Sequence, residues 1–263
     1  VRVVACIKQV PDTQEIKMDP ERGTLIRKGV PAIINPFDLH AIEEGLQLIE
    51  EFGGELIVLS MGPPMAEDAV REAISMGCND GVLLTDRKFA GADTWATAYT
   101  IAKGIDKIGD LDIIIAGKQA TDGDTGQVGP GVAAQLNIPV VTYVVKIDEI
   151  DPEKRTLKVR RLVEAGEEVV ETTLPCLITV VKGINVPRFP SLIGKRKAKK
   201  AEIKIWGYED VGCDPERIGL GGSPTRVAKI FTPEPRGSGE MIPGEPDAAV
   251  SVLVEKLAED GVI

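Results

Sequence analysis

Short β-branched apolar runs recur along the chain, and the segments between them carry apolar positions at helical spacing. Arg2–Ile7, Ile57–Ser60, Gly81–Leu84 and Ile113–Ala116 read as buried strands. Leu39, Ile42, Leu46 and Ile49 make one stripe of a helix running through Glu51, with Asp38 or a neighbour as its cap. Ala66–Met76 and Ala92–Ile108 are further helices. Short buried strands separated by helices predict an α/β fold: a Rossmann-like open, mostly parallel sheet with helices on both faces. Parallel strands gather the loops at their carboxyl ends on one edge. Cys6–Pro11, Met61–Pro63 and Gly117–Gln127 are therefore expected to line a common cleft.

The pattern changes after Pro139. Val140–Ile147, Thr156–Leu162 and Val169–Thr173 are β-rich and separated by turn-like stretches, which predicts strands joined as hairpins and extending the sheet. Cys176–Val181 is another apolar strand. Phe231–Pro246 contains four prolines and three glycines, so it forms neither regular helix nor central strand. A helical pattern resumes from Asp247 to about Asp260, with Val250, Leu253, Val254 and Leu257 on one face. The predicted organisation is an α/β domain over residues 1–230, with a β-rich extension at 140–181, followed by an arm and terminal helix over 231–263. Such a helix packs on its own domain or on a partner chain.

Composition narrows the function classes. The chain has 263 residues, 43% hydrophobic and 27% charged, which is ordinary for a globular protein. No apolar run approaches the ~20 residues needed to span a bilayer. The first residues lack the pattern of a secretory signal. Four scattered cysteines without a CxxC pair, and a single histidine (His40), argue against metal cages and iron–sulfur clusters. Reduced thiols fit a cytoplasmic protein. A net charge of -10 argues against broad binding to nucleic acid or anionic membranes.

The densest chemistry lies in Asp112–Pro130 (DIIIAGKQATDGDTGQVGP). A buried strand ends at Gly117 and opens into a polar loop centred on Asp122, Gly123 and Asp124, and Thr125 is expected to start a helix. Such a loop presents backbone N–H groups, together with the positive end of a helix dipole, to an anion such as a nucleotide phosphate. The spacing matches neither GxxxxGK[ST] nor GxGxxG, and the same residues also suit an ordinary strand–loop–helix connection. Bare carboxylates repel phosphate, so Asp122 and Asp124 are expected to bond to loop N–H groups, ribose hydroxyls or a bridging cation, or simply to cap turns. Gly117, Gly123, Gly126 and the backbone would do the cradling, while Thr125 and Gln127 offer a hydroxyl and an amide. Asn35-Pro36-Phe37-Asp38 precedes a helix: Asn35 is biased towards extended backbone, Asp38 reads as an N-cap, and Phe37 either packs in the core or stacks on a purine. Cys6 reads as a small buried hydrophobe, and His40 as structural. No Ser/His/Asp, HExxH or paired-carboxylate arrangement is present, which points to a binder of a reactive cofactor.

These motifs also carry a resemblance. Val3–Pro11, Gly29–His40, Leu59–Pro63, Arg71–Asp80, Gly117–Pro130, Leu174–Lys182 and Asn185–Lys199 resemble, in order, the electron-transfer flavoprotein β-subunit family. The resemblance implies nucleotide contacts at Cys6, Asn35, Pro36, Phe37, Asp38 and Met61. It implies further contacts at Gly117, Lys118, Gln119, Ala120, Thr121, Asp122, Gly123, Asp124, Thr125, Gly126, Gln127 and Val128. It implies a heterodimer with the family's α-subunit, which the C-terminal region embraces. It makes 185–200 a recognition loop, a stretch that otherwise reads as a solvated loop with a charge run. In that loop Leu192, beside Ile193, matches the apolar anchor for a partner dehydrogenase or quinone-reductase-type protein.

Related subunits hold either a structural AMP or, in electron-bifurcating members, a second FAD reduced by NADH. In the latter, one electron then passes to the α-subunit's flavin and the other to a low-potential acceptor. The Asp122–Pro130 loop resembles the bifurcating and Fix-type form, whereas AMP-type loops carry a bulkier acidic residue where Gly123 stands. FAD is therefore expected, AMP is the alternative, and NADH oxidation is expected only in complex with the α-subunit. An ATP-handling enzyme on the same architecture fits the fold but not the motif series.

Overall fold

Arg2–Ile7 (β1) lies near the middle of a nine-stranded sheet, with β-branched neighbours on both sides. In a computed structural model describing residues 1–12, 31–229 and 239–263, the elements follow in order. β1 is followed by β2 (Gln9–Pro11), β3 (Ala32–Ile34), α1 (Pro36–Phe52), β4 (Glu55–Met61), α2 (Glu67–Met76) and β5 (Asp80–Leu84). Then come α3 (Thr94–Ile108), β6 (Ile113–Gly117), α4 (Val128–Leu136), β7 (Val140–Asp151), β8 (Thr156–Val163), β9 (Gly166–Thr173) and β10 (Cys176–Val180). The chain ends with α5 (Leu192–Lys200), β11 (Lys204–Trp206) and α6 (Pro246–Glu259).

The sheet order is β11-β5-β4-β1-β6-β10-β7-β8-β9. Pairing is parallel from β11 through β7 and antiparallel among β7, β8 and β9. The expected α/β architecture and hairpin extension are both present. Side chains alternate across the sheet as the pleat demands. Val3, Ala5 and Ile7 face a core shared with α1 and α2, while Val4 faces a second core under α3 and α4. Ile113, Ile114 and Ile115 are fully buried in consecutive positions, each worth roughly 1.5–3 kcal/mol of apolar burial. Covering both faces permits that uninterrupted run.

Several boundaries differ from the sequence expectation, each for a local reason. α3 begins at Thr94 rather than Ala92, because the Asp93 carboxylate accepts from the N–H groups of Trp95 and Ala96, both at 3.0 Å. The helix after the polar loop begins at Val128, not Thr125. Asp124 (φ 54°) and Gly126 (φ 61°) hold left-handed backbone that no right-handed helix accommodates. Gln9–Pro11, expected within a loop, pairs with Ala32–Ile34 as a small antiparallel ribbon. Residues 192–200, expected within a loop, form α5, capped by the Ser191 hydroxyl. The arm expected over Phe231–Pro246 falls partly outside the described residues, as do Gly29 and Val30. α6 forms as expected, but none of its residues is buried. Among the described residues no helix is long and apolar enough to cross a membrane.

α4 packs closely on the sheet because of its glycines. A β-carbon at Gly129 would stand 2.7 Å from Thr179 Cγ2 on β10, whereas one at Gly123 would meet nothing within 4 Å. Gly129→Ala is expected to destabilise the fold by about 1–3 kcal/mol through overpacking, and Gly123→Ala by less than about 0.5 kcal/mol. Denaturant unfolding of the two variants measures the contrast; equal losses would contradict this packing of α4.

Candidate functional site

From β1 the chain runs outward to β4 and β5, then crosses back through α3 to β6 on the other side of β1. The strand order therefore reverses between β1 and β6, and a crevice opens outside their carboxyl ends. Asp38, in the first turn of α1, closes its floor. Its Oδ2 accepts from the Lys8 N–H at 2.7 Å and its Oδ1 from the Gly117 N–H at 3.2 Å. The side chain thus ties together the ends of the two strands that flank the reversal. It does not cap its helix, contrary to the sequence expectation.

Asn35 occupies the cap position of α1, yet its side chain makes no bond to that helix. Its amide donates to the Gln119 carbonyl at 2.9 Å, and its Oδ1 accepts from the Thr121 N–H at 3.1 Å. Its own N–H donates to the Lys8 carbonyl at 2.8 Å. One buried residue thereby ties the polar loop to the end of β1. Its backbone is extended (ψ 128°), as a residue before Pro36 should be. Phe37 is half-exposed at the rim rather than packed in the core. Cys6 is partly buried on β1, and Met61 is partly exposed at the end of β4. Burial, and then the neighbouring Asp38 carboxyl, push the Cys6 thiol up to about 12, so it stays protonated and inert.

The loop over 117–128 turns tightly: the Asp124 N–H donates to the Ala120 carbonyl at 2.8 Å. Asp122 pairs with the Lys8 ammonium at 2.6 Å, and Asp124 accepts from the Gln119 amide. The two carboxylates therefore find side-chain donors of this chain instead of loop N–H groups. Gln127 Oε1 accepts from the Thr94 hydroxyl at 2.9 Å, joining the loop to the start of α3. The cradle is narrower than expected. The Gly117 N–H is committed to Asp38 and the Lys118 N–H to the Val180 carbonyl at 2.8 Å. Among the described residues nothing accepts from the N–H groups of Gly123, Thr125, Gly126 or Gln127. Val128 then opens α4, whose dipole adds positive potential at the same place.

Thr94 and Tyr143 escape sequence reasoning, as does the particular part of Lys8 within the expected Cys6–Pro11 lining. Lys8 carries a readable signal, its place just beyond a strand at the binding edge; the other two come from distant segments. Tyr143 has left-handed backbone (φ 61°) and a half-exposed ring, and its N–H donates to the Thr179 hydroxyl at 3.1 Å. The Lys118 ammonium lies 5.3 Å from that ring and 5.8 Å from the Phe37 ring, within cation–π range. Free amides, a helix N-terminus and the Lys118 ammonium suit a phosphorylated ligand, and the half-exposed Phe37 and Tyr143 offer flat apolar surface beside them.

His40 has the structural part expected of it, with Nδ1 3.0 Å from Asn185 Oδ1. Leu192 and Ile193 sit in the first turn of α5, outside the crevice, and are 80% and 81% exposed.

Residues 22–211 match the family model described as electron transfer flavoprotein domain. The chain is 50% identical over 263 residues to the electron transfer flavoprotein subunit beta of Clostridium acetobutylicum, covering all of both chains. It is 48% identical over 265 residues to the caffeyl-CoA reductase-Etf complex subunit CarD of Acetobacterium woodii, again covering all of both. With Protein FixA of Azotobacter vinelandii the identity is 48% over 237 residues, 89% of this chain and 84% of FixA.

Burial pushes the Asp38 carboxyl from 3.8 up to about 7, against the pull of the Lys8 and Gly117 N–H donors. With a folded-state pKa above the unfolded one, the native protein binds the extra proton between those values. Asp38's contribution to stability therefore falls as pH rises from about 4 to about 7. Relative to Asp38→Asn, which cannot titrate there, the wild-type protein is expected to lose on the order of 1–3 kcal/mol across that window. Parallel pH curves for the two in urea unfolding would remove Asp38 as the titrating group.

Proposed function

The chain belongs to the electron-transfer flavoprotein β-subunit family, and on that premise we propose that it is the β-subunit of a cytoplasmic heterodimer that binds FAD in the switch-point crevice. When bound there, the flavin would supply acceptance of hydride from NADH and onward delivery of electrons for bifurcation. The observation that carries this reading is the open turn at Gly123, where no atom of the chain stands within 4 Å of a would-be β-carbon. A pyrophosphate needs close backbone approach, and a glycine whose own amide is unclaimed, with those of Thr125, Gly126 and Gln127 close behind it, permits it.

The chain's own residues then have defined tasks. The amides of Gly123, Thr125, Gly126 and Gln127 bind phosphate oxygens, with Lys118 balancing their charge. Asp38 and Asn35 keep the crevice walls and the loop in fixed relation, so that little ordering is left to the ligand. Lys8 neutralises Asp122, which removes a negative charge from the phosphate's surroundings. Phe37 and Tyr143 flank the Lys118 ammonium and give the rim flat apolar surface.

Two surfaces are assigned to partners. α6 exposes Val250, Leu253 and Val254 on one side, an apolar stripe suited to the α-subunit. Leu192 and Ile193 are the anchor for a dehydrogenase or quinone-reductase-type redox protein. A CoA-ester reductase of the kind named with CarD is the first candidate to try.

Purifying the heterodimer and counting its nucleotides tests the proposal. Two FAD per heterodimer are expected; one FAD plus one AMP would establish the structural-nucleotide alternative instead. Gly123→Asp is expected to lower the second flavin's occupancy at least about tenfold, by placing a carboxylate where phosphate must approach. Full retention of that flavin would defeat the assigned role of the turn.

A further inference from the structure

Residues 183–191 have no regular secondary structure, yet two of them are bound tightly to the outward face of α1. Asn185 donates its amide to the His40 carbonyl at 3.0 Å and to Glu44 Oε2 at 2.8 Å. Arg188 makes a double fork. Its Nε and Nη2 reach the two oxygens of Glu43, both at 2.9 Å, and its Nη1 and Nη2 reach those of Glu50 at 2.5 and 3.0 Å. Its backbone N–H adds a third bond to Glu43, at 3.0 Å. Burial works against the Glu43 carboxylate, but the guanidinium overrides it and holds that group below its ordinary value.

Between and beyond these pinned residues the apolar side chains point away from the protein. Val186 is 88% exposed and Phe189 93%, and the adjoining Leu192 and Ile193 are similarly bare. Four large apolar side chains within eight residues, left in water by a segment this well anchored, call for a partner surface. The neighbouring side chains indicate its chemistry. Lys195, Arg196, Lys199 and Lys200 are exposed beside the apolar group, a basic patch on a chain of net charge -10.

We propose that Asn185 and Arg188 are positioning residues that clamp the docking segment to α1 and so present Val186, Phe189, Leu192 and Ile193, already ordered, to an apolar slot with an acidic border on a redox partner. This rests on the reading of 185–193 as the partner-docking segment. Ordering the segment in the free protein removes an entropy cost from association. The clamp also fixes the segment relative to the crevice, because the same helix carries Asp38 in its first turn. Asp38 and Glu50 are about 18 Å apart along the helix axis at 1.5 Å per residue.

The test uses the whole heterodimer and, as probe, immobilised caffeyl-CoA reductase of the CarD complex. Arg188→Gln is expected to bind about tenfold more weakly and to exchange amide protons faster over 184–190, with flavin count unchanged. Glu43→Gln should do the same, and the double variant should be no worse than either alone, since both break one clamp. Arg188→Lys, which keeps the charge but not the fork, should fall between. Lys195→Glu with Arg196→Glu should slow association and flatten its dependence on salt.

The outcomes separate the clamp from the docking segment. Phe189→Ser with Leu192→Ser abolishing binding, while Arg188→Gln stays within twofold of wild type, would overturn the clamp and leave the docking segment standing. If the wild type does not bind, or the serine double variant binds as well as wild type, the docking reading itself fails. Unchanged association of the charge-reversed variant would overturn the acidic border.

Discussion

A single buried carboxylate holds the crevice together. Asp38 accepts from the amides that end β1 and β6, and those are the strands between which the chain reverses its order across the sheet. Without Asp38 both part-buried donors would lose their partner, at about 0.5–1.5 kcal/mol each. The neighbourhood is arranged around it. Gly117 must lack a side chain because a β-carbon there would lie 2.3 Å from Asp38 Oδ1 and 2.7 Å from Phe37 Cβ. Asn35, released from capping, ties down the loop instead.

That constraint explains why the unpartnered amides sit past the first part of the loop and not at its start. The amides of Gly117, Lys118, Thr121 and Asp124 are consumed by structure, whereas among the described residues those of Gly123, Thr125, Gly126 and Gln127 find no acceptor. The acidic residues of the loop are neutralised within the chain, Asp122 by Lys8 and Asp124 by Gln119. A loop that looks anionic in sequence therefore presents amides and an ammonium at its surface.

α1 serves both sides of the molecule. One face packs Ala41, Ile42 and Leu46 on the sheet, and the opposite stripe of His40, Glu43, Glu44 and Glu50 receives Asn185 and Arg188. Three of these four polar residues are buried, although amphipathic periodicity would leave them all in water. The crevice at the strand reversal and the exposed apolar side chains beyond Asn185 are thus held by one rigid element. An electron carrier that must meet its partner in a reproducible pose benefits from such a common frame.

The type of most elements, the parallel sheet and the edge where the loops gather were readable from the sequence, whereas α5 and the Gln9–Pro11 strand were not. Hydrophobic periodicity is a local property, and burial on one or two faces leaves its mark within a few residues. The open loop after Ile113–Ala116 was legible for the same reason. The partners of the polar groups were not. Asp38 next to a helix start looks like a cap, and only the approach of Lys8 and Gly117, 30 and 79 residues away in sequence, makes it a bridge. Lys8 with Asp122, Thr94 with Gln127, and Arg188 with Glu43 are likewise joined only by the topology. Tyr143 reached the rim through left-handed backbone within β7, a run that carries no glycine to announce it. Apolar burial depends on the average surroundings of each residue, which the chain encodes locally; hydrogen bonds and ion pairs depend on which distant segments meet, and that was decided only when the sheet assembled.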